Sequence, residues 1–211
     1  VVACGSRAGE RFERLDVREI GGAALGDISN HTACRHADHN DVSREERGGL
    51  RLEVPDNVDP DRLAGLLGKL GLTRTLFNVI TKSGSTAETM STFLIVKKRL
   101  QEHSAIGDNW RDHVVATTDP EKGDLRKLAA AEGFTVFDIP PGVGGRFSVL
   151  TPVGLLSAAV TGIDVPELLE GAQAMVARIR ETPVETNPAY VSAAIHHLAY
   201  THPSPKPMAV M

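Results

Sequence analysis

Short apolar segments alternate with amphipathic segments along most of this chain of 211 residues. Thr75–Thr81 and residues 134–139 are typical of the apolar segments, and a length of about four to eight residues suits a strand better than a helix. Between them, apolar residues recur at helical spacing, as in residues 63–70. Strands and helices in alternation, with short links, predict an α/β fold in which helices cover a parallel sheet.

Several helix starts are marked by an acidic or amide residue followed by proline. Asp59, Asp119 and Asn187 each precede a proline, and such residues are favoured as N-caps before a proline at the first helical position. Gly71 and Gly133 are expected to end the helices that start after Asp59 and Asp119. The expected strands are residues 52–54, 75–81, 113–117 and 134–139, and the expected helices are residues 24–36, 60–70, 86–102, 120–132 and much of 151–202.

The composition narrows the class of protein. A net charge of −4 and a pI near 6.1 give no support to bulk nucleic-acid binding. The two cysteines, Cys4 and Cys34, cannot build a disulfide framework, so a reducing compartment is expected. No apolar run approaches the ~20 residues of a membrane helix, and no signal peptide is visible. We therefore expect a cytoplasmic protein with a small-molecule partner, and no binding to nucleic acid or membrane.

Histidine and cysteine side chains are candidates for a metal site. They cluster with an aspartate near the end of the expected helix 24–36, at His31, Cys34, His36, Asp38 and His39. Their spacing matches no standard ligand pattern. We expect no metal and no other cofactor.

The most informative segment is residues 81–89, Thr-Lys-Ser-Gly-Ser-Thr-Ala-Glu-Thr, which lies between an expected strand and an expected helix. Ligands bind at this position in α/β sheets. The helix start supplies free backbone N–H groups, and Gly84 allows a ligand to approach closely. Five of the six residues 81–86 carry a hydroxyl or an ammonium group. The segment predicts a cradle for a phosphate monoester, while its glycine spacing differs from that of a nucleotide-binding Walker loop.

Helix capping is the alternative explanation for part of this segment. Ser85 and Glu88 have the spacing of a capping box, in which the serine caps the helix and the glutamate reaches back. That pattern accounts for two residues and leaves the other hydroxyls and Lys82 unexplained. Both interpretations stay open at this point.

A second loop, residues 140–148, has the sequence Pro-Pro-Gly-Val-Gly-Gly-Arg-Phe-Ser. Its three glycines remove side chains around Arg146. A guanidinium is permanently charged and presents planar donors, so it suits a phosphate or a developing oxyanion. The alternative is a tight surface turn whose arginine pairs with a carboxylate. A further Gly-Gly turn at Gly21 and Gly22 indicates by itself no more than a turn.

Together these segments resemble the bacterial type of the glucose-6-phosphate isomerase (phosphoglucose isomerase) family, which is built from sugar-isomerase (SIS) domains. Residues 21–26, Gly-Gly-Ala-Ala-Leu-Gly, resemble the family's Gly-Gly-Ser-x-Leu-Gly turn. Residues 81–89 closely match its Ser-Lys-Ser/Thr-Gly-x-Thr-x-Glu-Thr loop, and residues 143–148 are identical to its Val-Gly-Gly-Arg-Phe/Tyr-Ser loop. The order and spacing of the motifs agree, and the resemblance covers residues 20–211.

The resemblance implies a fold and a reaction. The fold would be a flavodoxin-like, SIS-type three-layer sandwich. Residues 1–19 would be an uncertain N-terminal segment, 20–148 a first phosphosugar-binding domain, and 149–211 a helical connection and the start of a second, truncated domain. The reaction would interconvert glucose 6-phosphate and fructose 6-phosphate in glycolysis and gluconeogenesis, through a cis-enediolate and without a cofactor. The full-length protein would be a homodimer.

The resemblance also implies which residues face the sugar. Arg146 would be the catalytic residue that stabilises the negative enediolate, and Gly145 would lie beside it at the reacting carbons. Gly22 and Ala23 would lie beside the sugar. The family has a serine in place of Ala23, so one ligand hydroxyl is lost in this chain.

The phosphate of the sugar would be bound by the loop at residues 81–86. The implied ligands are Thr81, Lys82 through its backbone, Ser83 and Thr86. For Glu88 we expect a role in orienting Arg146 or Lys82, although the capping box accounts for this residue equally well.

The family's catalytic glutamate base and ring-opening histidine lie in motifs downstream of residue 211. We therefore expect the chain to be a fragment with little isomerase activity of its own. A non-catalytic phosphosugar-binding sensor module of the SIS type is the alternative function.

Overall fold

The computed structural model describes residues 16–20, 50, 52–55 and 58–206. Within these residues, five parallel strands form one sheet in the order β2-β1-β3-β4-β5. The strands are β1 (Asp16–Ile20), β2 (Leu52–Glu53), β3 (Thr75–Thr81), β4 (Val114–Thr118) and β5 (Thr135–Asp138). The helices are α1 (Pro60–Lys69), α2 (Ala87–Gln101), α3 (Asp124–Glu132), α4 (Pro152–Val160), α5 (Val165–Glu181) and α6 (Pro188–Thr201).

The strand order reverses between β1 and β3. The chain runs from β1 outward to β2 and then returns to β3 on the other side of β1. This is the flavodoxin-like order, in which ligands bind beyond the carboxyl ends of the strands at the point of reversal. Ile20 and Thr81, the last residues of β1 and β3, therefore flank the expected binding crevice.

One face of the sheet packs against α1, α2 and α3. Phe77 and Val79 of β3 belong to a buried cluster with Phe93 and Val96 of α2 and Leu125 of α3. Because alternate residues of a strand point to opposite faces, the intervening residues of β3 are directed to the other side.

The other face packs against α4. Leu76 of β3 lies in a buried cluster with Leu156 and Val160, and Ile80 lies in a second cluster with Val153. Burial of β3 on both faces is typical of a central parallel strand. The helix–sheet–helix layering confirms the predicted α/β fold class.

Two of the three helix starts marked by proline are confirmed. The Asp59 carboxylate accepts hydrogen bonds from the backbone N–H groups of Asp61 and Arg62 at the start of α1. The Asn187 side-chain oxygen accepts one from Ala189 at the start of α6. Both starts depend on contacts within a few residues, which a local pattern captures.

The helix start predicted at Asp119 is wrong. The Asp119 carboxylate accepts the N–H groups of Glu121 and Lys122, both at 2.9 Å, and closes a turn. Helix α3 begins later, at Asp124, where the N–H of Leu125 donates to the carbonyl of Gly84 at 3.0 Å. A contact with a loop distant in sequence therefore accompanies this start.

The N-terminal strand β1 was not anticipated, because residues 1–19 show little periodicity. Its backbone pairs with β2 on one side and with β3 on the other. Pairing with these segments, and not a local sequence pattern, identifies it as a strand. Residues 1–15 and the helix expected at 24–36 lie outside the described residues.

The chain divides into two compact units, Val1–Asp164 and Val165–Met211. The first unit contains the sheet and α1 to α4, and the second contains α5 and α6. In the second unit the Asn187 side-chain amide donates to the carbonyl of Ile179 in α5. The predicted domains, 20–148 and 149–211, divide the chain by family resemblance and stay predictions. Among the described residues, no helix is both long and apolar enough to cross a membrane.

Candidate functional site

Three loops follow neighbouring strands of the sheet at its carboxyl edge. The phosphate loop is residues 81–86 after β3, the aspartate turn is residues 119–123 after β4, and the arginine loop is residues 140–148 after β5. A backbone hydrogen bond from Ile139 to the carbonyl of Thr118, at 2.8 Å, joins the ends of β5 and β4. The fold therefore brings the two loops singled out from the sequence to one edge.

Three hydroxyl groups of the phosphate loop form a triangle. Thr81 Oγ1 lies 3.0 Å from Thr86 Oγ1 and 3.4 Å from Ser83 Oγ, and the last two atoms are 3.3 Å apart. Thr81 is buried at the end of β3, and its carbonyl accepts a hydrogen bond of 2.7 Å from the buried Thr118 hydroxyl. Ser83 and Thr86 are exposed. The sheet thus fixes one hydroxyl, and the loop brings two accessible hydroxyls to it.

The first turn of α2 has no side-chain cap. Thr86 is the N-cap residue, but its hydroxyl bonds none of the backbone amides of that turn. The capping box predicted from Ser85 and Glu88 is wrong, because Ser85 precedes the N-cap and its own N–H donates to Ser83 Oγ at 3.3 Å. With no side-chain oxygen on the first-turn N–H groups and the positive end of the helix dipole beside them, the site favours an anion.

Two glycines allow the backbone of the phosphate loop to pack closely against that of the aspartate turn. Gly84 and Gly123 both have positive φ, at 68° and 95°. A Cβ on Gly84 would lie 2.8 Å from the Cα of Gly123, and a Cβ on Gly123 would lie 2.4 Å from the carbonyl oxygen of Ser83. We expected Gly84 to admit a ligand; in the structure its close neighbour is the backbone of the next loop.

The Lys82 side chain connects the phosphate loop to the arginine loop. Its ammonium group is part-buried and donates a hydrogen bond to the carbonyl of Val143. Hydrogen bonds from the N–H groups of Glu121 and Lys122 hold the pKa of Asp119 below its usual value, and the positive charge of Lys82 adds a smaller effect in the same direction. Lys82 is thus near both neighbouring loops.

The arginine loop presents its cation to solvent. Gly142 has a φ of 83°, and Gly145–Phe147 form a short 3₁₀ turn. The Ser148 hydroxyl donates to the carbonyl of Gly145 at 2.6 Å. Arg146 is exposed, and within the described part of the chain its guanidinium makes no ion pair or hydrogen bond. No described carboxylate pairs with it, in contrast to the surface-turn interpretation.

Several expected features have no counterpart in the described contacts. Glu88 is exposed, and no hydrogen bond or ion pair among the described residues joins it to Lys82 or Arg146, so its orienting role stays a prediction. Gly22, Ala23 and the histidine–cysteine cluster lie outside the described residues. The described parts of the chain contain no group of three or more His, Cys, Asp or Glu residues that could hold a metal ion.

Sequence reasoning missed Gly123 and the carbonyl of Val143 as parts of this site. Gly123 lies between the expected strand and helix, but nothing local distinguishes it from a turn glycine. Its importance comes from the contact with Ser83 and Gly84, some forty residues earlier. The sequence signal for this contact was a glycine in each of two successive strand-to-helix links, Gly84 and Gly123.

A sequence model of the family described as phosphoglucose isomerase matches residues 3–203 of the chain. The chain belongs to the phosphoglucose isomerase family. This confirms the resemblance found in the three sequence motifs.

Curated relatives in the phosphoglucose isomerase family agree. The chain is 51% identical over 189 residues to the glucose-6-phosphate isomerase of Carboxydothermus hydrogenoformans, covering 90% of this chain and 40% of the relative. It is 49% identical over 180 residues to that of Rubrobacter xylanophilus, covering 85% of this chain and 40% of the relative. The chain therefore spans about two fifths of the length of these relatives.

Solved structures support the same fold. A hypothetical protein from Thermus thermophilus superposes with a TM-score of 0.74 and 36% identity, covering 90% of this chain and 43% of that chain. A glucose-6-phosphate isomerase from Chlamydia trachomatis superposes with a TM-score of 0.69 at 23% identity, covering 89% of this chain and 35% of that chain. At that identity the second match shows the fold alone.

Proposed function

We propose that this chain is the phosphosugar-binding part of a glucose-6-phosphate isomerase, which interconverts glucose 6-phosphate and fructose 6-phosphate. The observation that carries the proposal is the hydroxyl triangle of Thr81, Ser83 and Thr86 at the uncapped start of α2. Two relatives that are about half identical to the chain bear the name of this enzyme.

The phosphate of the sugar binds at the phosphate loop. Ser83 and Thr86 donate their exposed hydroxyls, Thr81 supports them from the end of β3, and the backbone at Lys82 and the first turn of α2 contributes N–H donors. Contacts made so far from the reacting carbons position the sugar, and their binding energy contributes to stabilising the transition state. Gly22 and Ala23, which come shortly after Ile20 in the sequence, would lie beside the sugar, as the family resemblance implies.

Arg146 is proposed to stabilise the cis-enediolate. Isomerisation moves a proton between C2 and C1, and negative charge develops on the oxygens of these carbons. A permanently charged guanidinium with no competing carboxylate among the described residues can meet that charge, and Gly145 leaves room beside it. The general base and the group that opens the sugar ring would come from the remaining length of the enzyme, which we propose to be a homodimer.

Titration calorimetry with fructose 6-phosphate tests the proposal on the chain itself. We expect the chain to bind, Thr86→Ala to weaken binding about tenfold through loss of a ligand hydrogen bond, and Arg146→Ala to change it less. Thr73→Ala, which alters an exposed threonine in the short 3₁₀ turn before β3, serves as the control and should bind like the wild type.

The outcomes separate the functional alternatives. No binding to a folded chain, or equal binding by wild type and Thr86→Ala, would contradict the proposed site. Binding that depends on Thr86, together with full activity of an Arg146→Ala full-length homologue, would favour a phosphosugar sensor over an enzyme that uses Arg146.

A further inference from the structure

The arginine loop is held mainly by bonds within itself. The N–H of Val143 donates to the carbonyl of Pro140 at 3.3 Å, and the N–H of Phe147 donates to that of Gly144 at 2.9 Å. Such short-range bonds fix the shape of the loop without fixing its distance from the phosphate loop. Its glycines carry large backbone entropy, so an ordered position needs a contact from outside.

Lys82 supplies such a contact. Its ammonium donates to the carbonyl of Val143, which lies 61 residues later in the chain and three positions before Arg146. A hydrogen bond from a charged donor is about twice as strong as a neutral one. The Lys82 side chain takes no part in the hydroxyl triangle, since its ammonium donates to the other loop.

Neighbouring groups hold this lysine in place. The Asp119 carboxylate is close enough for the charge of Lys82 to stabilise its ionised form, and the attraction is mutual. The adjacent residues Thr81 and Ser83 are fixed by the triangle, and the backbone at Ser83 and Gly84 is packed against Gly123. Lys82 therefore reaches Val143 from a rigid base.

We infer that Lys82 is a positioning residue, whose bond to the Val143 carbonyl sets the arginine loop at a fixed distance from the phosphate loop, so that Arg146 meets the reacting carbons of a sugar held by its phosphate. The inference rests on the proposed function and goes beyond the backbone role implied for Lys82 by the family resemblance. A direct electrostatic role on the phosphate is the competing explanation.

Hydrogen exchange of the arginine loop tests the bond itself, without any ligand. In Lys82→Met we expect the hydrogen-bonded amides of the loop, those of Val143, Phe147 and Ser148, to exchange about tenfold faster, as the loss of one charge-assisted hydrogen bond predicts. Lys82→Arg, which keeps a charged donor, should recover much of the protection. Lys122→Met removes the same charge near Asp119, yet only its backbone N–H bonds that carboxylate, so it should leave the loop unchanged. Equal exchange in wild type and Lys82→Met would overturn the inference.

Binding of two anions separates positioning of Arg146 from direct attraction of phosphate. The probes are inorganic phosphate and arabinonate 5-phosphate, a sugar acid that carries a carboxylate in place of the reacting carbons. We expect Lys82→Met to lower the affinity for the sugar acid about tenfold. It should lower the affinity for inorganic phosphate no more than Lys122→Met does. Lys82→Arg should recover the binding of the sugar acid. Equal weakening of both probes in Lys82→Met would overturn positioning in favour of direct attraction.

The two proposals fail in different ways. Failure of the proposed function appears as no binding of either probe by the wild-type chain. Failure of the inference about Lys82 appears as unchanged exchange in the arginine loop, or as loss of binding that is equal for the two probes.

Discussion

Two threonines stand at the N-cap of a helix in the first unit, and they use their hydroxyls differently. Thr151, before α4, is 8% exposed, and its hydroxyl accepts the N–H of Val153 at 3.4 Å and donates to the carbonyl of Ser148 at 2.6 Å. Thr86, before α2, is exposed, and its hydroxyl faces Thr81 and Ser83. One threonine satisfies its own helix, and the other leaves the amides of its helix without a side-chain cap.

The difference shows what turns a helix start into a binding site. Both positions have the same residue type and an extended N-cap backbone, so propensity does not distinguish them. What distinguishes them is the environment of the hydroxyl group. At α4 the hydroxyl is buried and bonds groups of its own loop and helix. At α2 the hydroxyl contacts the hydroxyls of Thr81 and Ser83 and not the backbone amides. A helix start that gives up a cap worth about 1 kcal/mol gains a place for an anion.

The largest expected effect comes from removing the backbone contact that holds the phosphate loop. In Gly123→Ala the new methyl group would lie 2.4 Å from the Ser83 carbonyl oxygen at a φ of 95°. We expect a loss of about 3 kcal/mol in the free energy of unfolding, because a φ of 95° with a ψ of 158° is a conformation that only glycine adopts readily and because the methyl group overpacks the site. Phosphate binding should fall as well, because Ser83 must move. Urea unfolding followed by the fluorescence of the single tryptophan, buried Trp110, measures the loss.

Gly133→Ala is the control for a positive φ that has no close contact. Gly133 also has a positive φ, 81°, but a Cβ there would meet nothing within 4 Å. It should cost about 1 kcal/mol through backbone strain alone and leave phosphate binding intact. If the two alanine variants lose the same stability, the contact between Gly123 and Ser83 does not hold the phosphate loop.

An intermediate effect is expected from exchanging the roles of the two threonines. Thr151→Ala removes a buried hydroxyl with two hydrogen bonds and should cost about 1–2 kcal/mol of stability with no change in phosphate affinity. Thr86→Ala should do the opposite, lowering phosphate affinity while changing stability by less than about 0.5 kcal/mol. Unfolding and phosphate titration of both variants measure the two effects. A Thr86→Ala variant that loses as much stability as Thr151→Ala would show that Thr86 is a structural cap after all.

The sequence was informative where structure depends on neighbours in the chain. The bounds of β3, Thr75–Thr81, were predicted because a continuous apolar run of strand length leaves few alternatives. Asp59 and Asn187 were recognised as N-caps because a cap acts over two or three residues. Both loops of the candidate site were found from their composition for the same reason.

Predictions from the sequence were wrong where a contact between loops determines the local structure. Asp119 has the same Asp-Pro signal as Asp59, yet α3 begins at Asp124, where Leu125 donates to the Gly84 carbonyl. The capping box at Ser85 and Glu88 has the right spacing but lies one residue ahead of the actual N-cap. Pairing of Gly84 with Gly123, and of Lys82 with Val143, arises only when the sheet places these loops side by side.

The smallest expected effect concerns Asp119. Its carboxylate accepts backbone N–H groups at the aspartate turn, as a bound anion would at the start of α2. It accepts two backbone N–H groups, which lower its pKa below the usual 3.8. Because the folded pKa is lower than the unfolded one, this carboxylate contributes stability above pH 3.8, and the contribution is lost as the pH falls through the lowered pKa.

Asp119→Asn keeps an oxygen acceptor that does not titrate. The variant should be slightly less stable than the wild type at pH 7, and this difference in stability should shrink in acid. An NMR titration of the Asp119 carboxyl group should show the lowered midpoint directly. Glu121→Gln, which removes a charge from the same turn without changing those bonds, should not reproduce the pH-dependent difference. If it does, the pH dependence comes from the charge of the turn and not from the backbone hydrogen bonds to Asp119.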